Sequence, residues 1–218
     1  MPRAPVRTRP PVDGPVDGPD TDIEARLVRA LTRSGDVSSD YDIDPRLPVP
    51  EGRVLRQAGV LVVVHLDGGV PRLLLTKRSA KLRHHPGQIA FPGGKVDPGD
   101  DGPVGAALRE AREEIGLPEH RVEVLGTLPP HETVTGFSVT PVVGLLRGRF
   151  DPVPEVGEVA EVFSVPLAHV IDPYCFRIEG RRWQGRRRHY YVVPWGPFYI
   201  WGATARMLRS LAERMTQE

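Results

Sequence analysis

Residues 93–117 read GGKVDPGDDGPVGAALREAREEIGL, a glycine-rich loop running into an acidic helix. The spacing predicts a helix over 103–115, because Val104, Leu108, Ala111 and Ile115 recur as one apolar stripe. Pro103 suits the first turn, Asp101 or Gly102 can cap it, and Gly116-Leu117-Pro118 ends it. At about 100° per residue, Glu110, Glu113 and Glu114 fall within roughly 100° of one another, away from the stripe. Arg109 lies beside Glu113, four residues on. Three carboxylates on one face repel, so something must offset their charge. A hard divalent cation does so: Mg²⁺ takes oxygen ligands and keeps open positions for substrate phosphates. Arg109 can hold one glutamate while the others bind metal. The glycines permit unusual turns and let backbone N–H groups approach a phosphate. These parts point to metal-assisted attack of water on a phosphoanhydride. An isolated E-x-x-E-E would instead read as a solvated face with an i,i+4 ion pair.

The wider pattern resembles the Nudix box, G-x5-E-x7-R-E-U-x-E-E-x-G-U. Arg109-Glu110-Ala111-Arg112-Glu113-Glu114-Ile115-Gly116-Leu117 matches at every fixed position, with Ala111 in the apolar slot. The resemblance implies Arg109, Glu110, Glu113 and Glu114 as catalytic residues, the three glutamates as ligands, and Mg²⁺ or Mn²⁺ as cofactor. One departure stands out. After five intervening residues Gly94 is followed by Asp100 rather than a glutamate, and eight residues, not seven, separate it from Arg109. Counting back from Arg109 reaches Asp101 instead, so either aspartate can replace the loop acid.

Upstream, residues 74–94 read LLTKRSAKLRHHPGQIAFPGG. This resembles LLTxRSx3Rx3Gx3FPGG, the mark of the coenzyme A pyrophosphatase subfamily of Nudix enzymes, and every fixed position matches. GFSVTPVVG, EVAEVFSVPL and IWGATA also look like that subfamily. The resemblance implies an α+β fold, a Nudix-type α/β/α sandwich around a mixed β-sheet. It further implies cleavage of coenzyme A to adenosine 3′,5′-bisphosphate and 4′-phosphopantetheine. The alternatives are a Nudix hydrolase of another nucleoside diphosphate-X, such as ADP-ribose, or of a nucleoside triphosphate, and a non-catalytic Nudix-fold or RNA-binding protein. Coenzyme A carries a diphosphate and a 3′-phosphate that needs its own cation. Arg78 and Arg83, with Lys77, Lys81, His84 and His85, form a dense donor cluster before the metal loop, and Gly93 and Gly94 close it. For a general base, Glu158 and Glu161 lie where Nudix enzymes supply an acid from outside the box. His131 and Glu132 are comparable candidates.

The rest of the chain is consistent with one domain carrying appendages: a disordered tail (1–20), an N-terminal helix and linker (21–50) and a Nudix hydrolase domain (51–218). Ile23, Leu27, Ala30 and Leu31 predict an amphipathic helix over 22–33. GVLVVVHL (59–66) reads as a strand buried on both faces, returning through Asp67-Gly68-Gly69 to PRLLLTKRS. Further strands are predicted over 122–128, 138–146 and 158–164, a short helix over 167–171, and a last helix over 203–214. Between those helices lies a hairpin with its turn at Gln184-Gly185. Its arginines (181, 182, 186, 187 and 188), beside Trp183 and Tyr190, read as a solvated loop rather than a nucleic-acid surface. Trp195 and Trp201 are expected to pack rather than stack on a base.

Lys+Arg 29 against Asp+Glu 28 leaves no global field for nucleic acid or membrane. No apolar run reaches the length of a membrane span. The lone Cys175 reads as a buried small hydrophobe in a reducing compartment. MPRAPVRTRP has no secretory apolar segment, and its prolines spoil an amphipathic transit helix. A cytoplasmic protein acting on a small molecule of the coenzyme A class is expected, with a homodimer left open.

Overall fold

The computed structural model describes residues 19–44, 52–183 and 186–216. The tail (1–20) therefore lies outside the described residues up to residue 18, as do the linker over 45–51 and the turn at Gln184-Gly185.

Strand β2 (Arg56–Leu66) is the axis of the molecule. It is preceded by α1 (Pro19–Thr32) and β1 (Ser38–Ser39). After it come β3 (Arg72–Arg78), β4 (Ile89–Ala90), β5 (Gly93–Lys95), α2 (Gly102–Ile115), β6 (Val122–Thr127), β7 (His131–Glu132) and β8 (Phe137–Arg147). Strand β9 (Val159–Pro166), α3 (Leu167–Val170), the hairpin of β10 (Arg177–Trp183) and β11 (Arg186–Val192), and α4 (Gly202–Thr216) complete the chain. The sheet is mixed: β2 runs parallel to β8 along its whole length and antiparallel to β3 and β5. Its order is β1-β7-β8-β2-β3-β4, with β6 on β8 and β9 on β3.

The β-branched run of β2 is buried on both faces, as expected of a central strand. Alternation sends Leu61 and Val63 to one side, where Ala107, Ala111 and Ile115 of α2 pack on them. Val62, Val64 and Leu66 go to the other, against Leu27 and Ala30 of α1 and Ala205, Leu208 and Leu211 of α4. The result is an α/β/α sandwich. All four apolar positions predicted for the first helix lie in or against that second core.

Two features seat α2. Gly59 lets the first turn of the helix lie directly on β2: a Cβ there would sit 1.8 Å from the Pro103 carbonyl oxygen. At the other end Gly116 adopts the left-handed conformation, and the Leu117 N–H donates back to the Ala111 carbonyl at 3.3 Å. Strands β1, β4, β5 and β7 have two or three residues each, too few to show a period in sequence.

Candidate active site

The acids of α2 gather where its solvent face meets β5. Glu114 is buried, with only 4% of its surface exposed, and accepts the Gly93 N–H at 3.2 Å. Burial pushes its carboxyl up to about 7; the charges of Glu110 and Glu158 add to this, against the Gly93 hydrogen bond and the Arg78 charge. Burial raises Glu110 too, opposed by Arg109. Gly94 makes room for that side chain, since a Cβ would lie 2.3 Å from Glu110 Oε1.

Arg109 ties the group together. Its guanidinium donates to Asp100 Oδ1 at 2.8 Å, Asp100 Oδ2 at 3.1 Å, Glu110 at 3.0 Å, Glu113 at 3.0 Å and the Lys95 carbonyl at 3.3 Å. Asp100 also accepts the Asp97 N–H at 2.7 Å, and the Arg109 hydrogen bond holds its carboxyl below the usual range. Asp101 is exposed, stands at the N-cap and makes no side-chain cap bond. Of the two aspartates left open by counting, Asp100 is the one joined to the box.

Arg78 ends β3, across a bulge from Val159. Its charge acts on both Glu114 and His85, and its Nε is buried with no hydrogen-bond partner. Arg83 stands exposed between β3 and β4 and has no hydrogen bond or ion pair among the described residues. The Glu158 carbonyl accepts the Ser79 N–H at 2.7 Å, which fixes its loop to the end of β3, and its charge reaches Glu110 and Glu114.

One of the candidate bases drops out. His131 is not available as a base: it is fully buried between Ser38 Oγ at 2.9 Å and Asp40 Oδ1 at 3.1 Å. Glu132 is ion-paired with Arg53, and Glu161 lies opposite Lys77 on the sheet edge. The arginine hairpin is largely exposed, as expected, and also borders a cavity. Arg181, Arg188 and Tyr190, with Trp201, line a cavity of about 460 Å³ on the α4 side of the sheet. The basic and aromatic residues were visible in sequence, but their meeting with Trp201 depends on how the hairpin folds back on α4.

The NUDIX domain model matches residues 55–192. Among curated proteins, one from Citrobacter koseri named "Uncharacterized Nudix hydrolase NudL" is 46% identical over 165 residues, covering 72% of this chain and 81% of that protein. A protein of the same name from Cronobacter sakazakii is 46% identical over 157 residues, with the same shares. Among solved structures, a Nudix hydrolase from M. Smegmatis, RenU, is 26% identical with a TM-score of 0.45, covering 56% of this chain and 84% of that one.

Proposed function

Since the chain belongs to the Nudix family and is a Nudix hydrolase, we propose that it hydrolyses the diphosphate of coenzyme A, giving adenosine 3′,5′-bisphosphate and 4′-phosphopantetheine. The observation that carries this reading is the stretch 74–94. It matches the coenzyme A pyrophosphatase motif throughout and delivers Arg78, with its unpartnered buried Nε, to the acids of α2. A buried guanidinium nitrogen without an acceptor is costly unless a ligand supplies one. A substrate phosphate suits it.

Nudix enzymes use a divalent cation, and the donor set here fits Mg²⁺ or Mn²⁺: Glu110, Glu113 and Glu114 offer hard oxygens along one face. Among the described residues no three acids already converge on one point. Glu113, half-exposed and bonded to Arg109, must turn to complete the set. The raised carboxyl of Glu114 supports the fit, because a nearby cation would favour its charged form. When bound, the cation neutralises diphosphate charge and promotes ionisation of water.

The protein's own groups do the rest. Arg109 holds Asp100 and the helix together, and Gly93 and Gly94 let backbone approach the phosphates. Glu158 is the carboxylate outside the box whose charge reaches Glu110 and Glu114, and it takes the proton of the attacking water. The water oxygen bonds to one phosphorus, the bridging P–O bond breaks, and the leaving phosphate carries away its electron pair. A cytoplasmic setting goes with this reading, on the lone Cys175.

A substrate panel with Mg²⁺, resolved by product identity, tests the proposal. Coenzyme A should give the highest kcat/KM and the two named products. A tenfold preference for ADP-ribose or a nucleoside triphosphate would reject it.

A further inference from the structure

We infer that the cavity under the β10–β11 hairpin binds the 3′-phosphorylated adenosine end of the substrate, with Arg181 and Arg188 on the 3′-phosphate and the base against Tyr190 and Trp201. The substrate it names rests on the coenzyme A reading above; the cavity does not. Its volume of about 460 Å³ lies within the range of about 300–1,000 Å³ usual for small-ligand pockets. Its inner wall is apolar, built by Phe91, Val139 and Met207. Tyr190 and Trp201 meet edge to face with centroids 5.0 Å apart, leaving aromatic surface on which a flat heterocycle can stack.

The charge sits where a ribose phosphate would need it. Arg181 and Arg188 are directly opposite in the hairpin register, so two guanidinium groups share one face with Tyr190. Like charges opposite one another destabilise a strand pair, and a phosphate accepting from both offsets that. Asp44 braces the hairpin, accepting both the His189 N–H and Nδ1 at 2.6 Å, and its charge also meets Arg188. The carboxylate among the lining residues, Asp40, has both oxygens engaged: Oδ1 with His131 and Oδ2 with the Val134 N–H at 2.9 Å. A neutral pantetheine arm would have no use for paired arginines.

Reach is adequate. Phe91 lines the cavity, and Gly93, two residues on, donates its N–H to Glu114 at 3.2 Å, so the cavity and the acids adjoin through one short loop. One substrate can therefore fill the cavity and present its diphosphate to the acids. Arg78, whose charge acts on Glu114, belongs to the diphosphate in this arrangement.

The test is calorimetric titration of the full chain, metal-free in EDTA, with adenosine 3′,5′-bisphosphate and with AMP. The wild type should bind the bisphosphate roughly ten- to a hundredfold more tightly. Arg181→Gln and Arg188→Gln should each lose most of that difference while binding AMP as before, and Arg188→Lys should recover part of it. Arg182→Gln, the same charge change on the opposite face of the hairpin, should keep it. Equal wild-type affinity for the two ligands, or a preference surviving both glutamine variants, would overturn the assignment. Because no catalysis enters, a protein that shows the preference yet leaves coenzyme A uncleaved keeps the cavity and loses the proposed reaction.

Discussion

Arg109 meets four side chains and a carbonyl with one guanidinium, and of the two aspartates that counting left open Asp100 is the one it holds. Asp100→Asn should lower kcat tenfold or more and lower Tm, because it leaves a half-buried guanidinium short of its charge partner. Asp101→Asn should stay within about 0.5 kcal/mol of wild type in a denaturant melt and keep its turnover. Equal effects from both would show that Asp100 is not the loop acid. Glu114 predicts a pH effect. Its folded carboxyl stands above the ordinary glutamate value of 4.5, at about 7, so the folded chain holds the proton more tightly than the unfolded one. That contribution to stability is complete below about pH 4.5 and is lost as pH rises through about 7. Such a difference is worth on the order of 3 kcal/mol, since a tenfold change in proton affinity is about 1.36 kcal/mol. In EDTA, Tm should therefore fall from pH 5 to pH 8 in the wild type and much less in Glu114→Gln; parallel curves would contradict the assignment. Glu113→Gln should cost at least about a hundredfold in kcat with Tm little changed, since its side chain is half-exposed. The box residues were legible because they lie within one helix, where spacing fixes direction. Arg181 and Arg188 were not, because their surroundings come from Asp40, Asp44 and Trp201, far along the chain.

Between elements, α2 and the sheet meet through glycine, and two such contacts predict opposite outcomes. A methyl at Gly59 collides with the backbone of α2 at the Pro103 carbonyl, which cannot yield without shifting the helix. Gly59→Ala should cost about 3 kcal/mol or more, a fall in Tm on the order of 10 °C. A methyl at Gly94 meets the end of the Glu110 side chain, which can rotate away. Gly94→Ala should therefore keep most of its Tm while kcat drops at least tenfold, and a fold loss as large as that of Gly59→Ala would refute the distinction. Long elements were readable for related reasons. Helices α1, α2 and α4 each carry enough residues for a period of 3.6 to emerge, and β2 carries a β-branched run. The short β1 and β7 pair with each other in parallel and owe their existence to the Ser38–His131–Asp40 contacts, which no local pattern announces.

Across the whole molecule, the first helix is part of the fold rather than an ornament on it. Leu27 is fully buried and Glu24 pairs with Arg147 at 2.7 Å, so Leu27→Ala should cost about 2–5 kcal/mol in a denaturant melt. A cost below about 1 kcal/mol would mean that α1 contributes little to the core. The sheet also separates two surfaces. Its α2 side carries the acids, and its α4 side carries the cavity, with β2 between them contributing Leu61 to one core and Val62 to the other. If the cavity selects the substrate as proposed, substitutions on the α4 side would redraw which molecules are admitted without disturbing the groups that break the bond, and a lineage keeping REAREEIG intact would be free to diverge in diet by a few changes on the far side of a single strand.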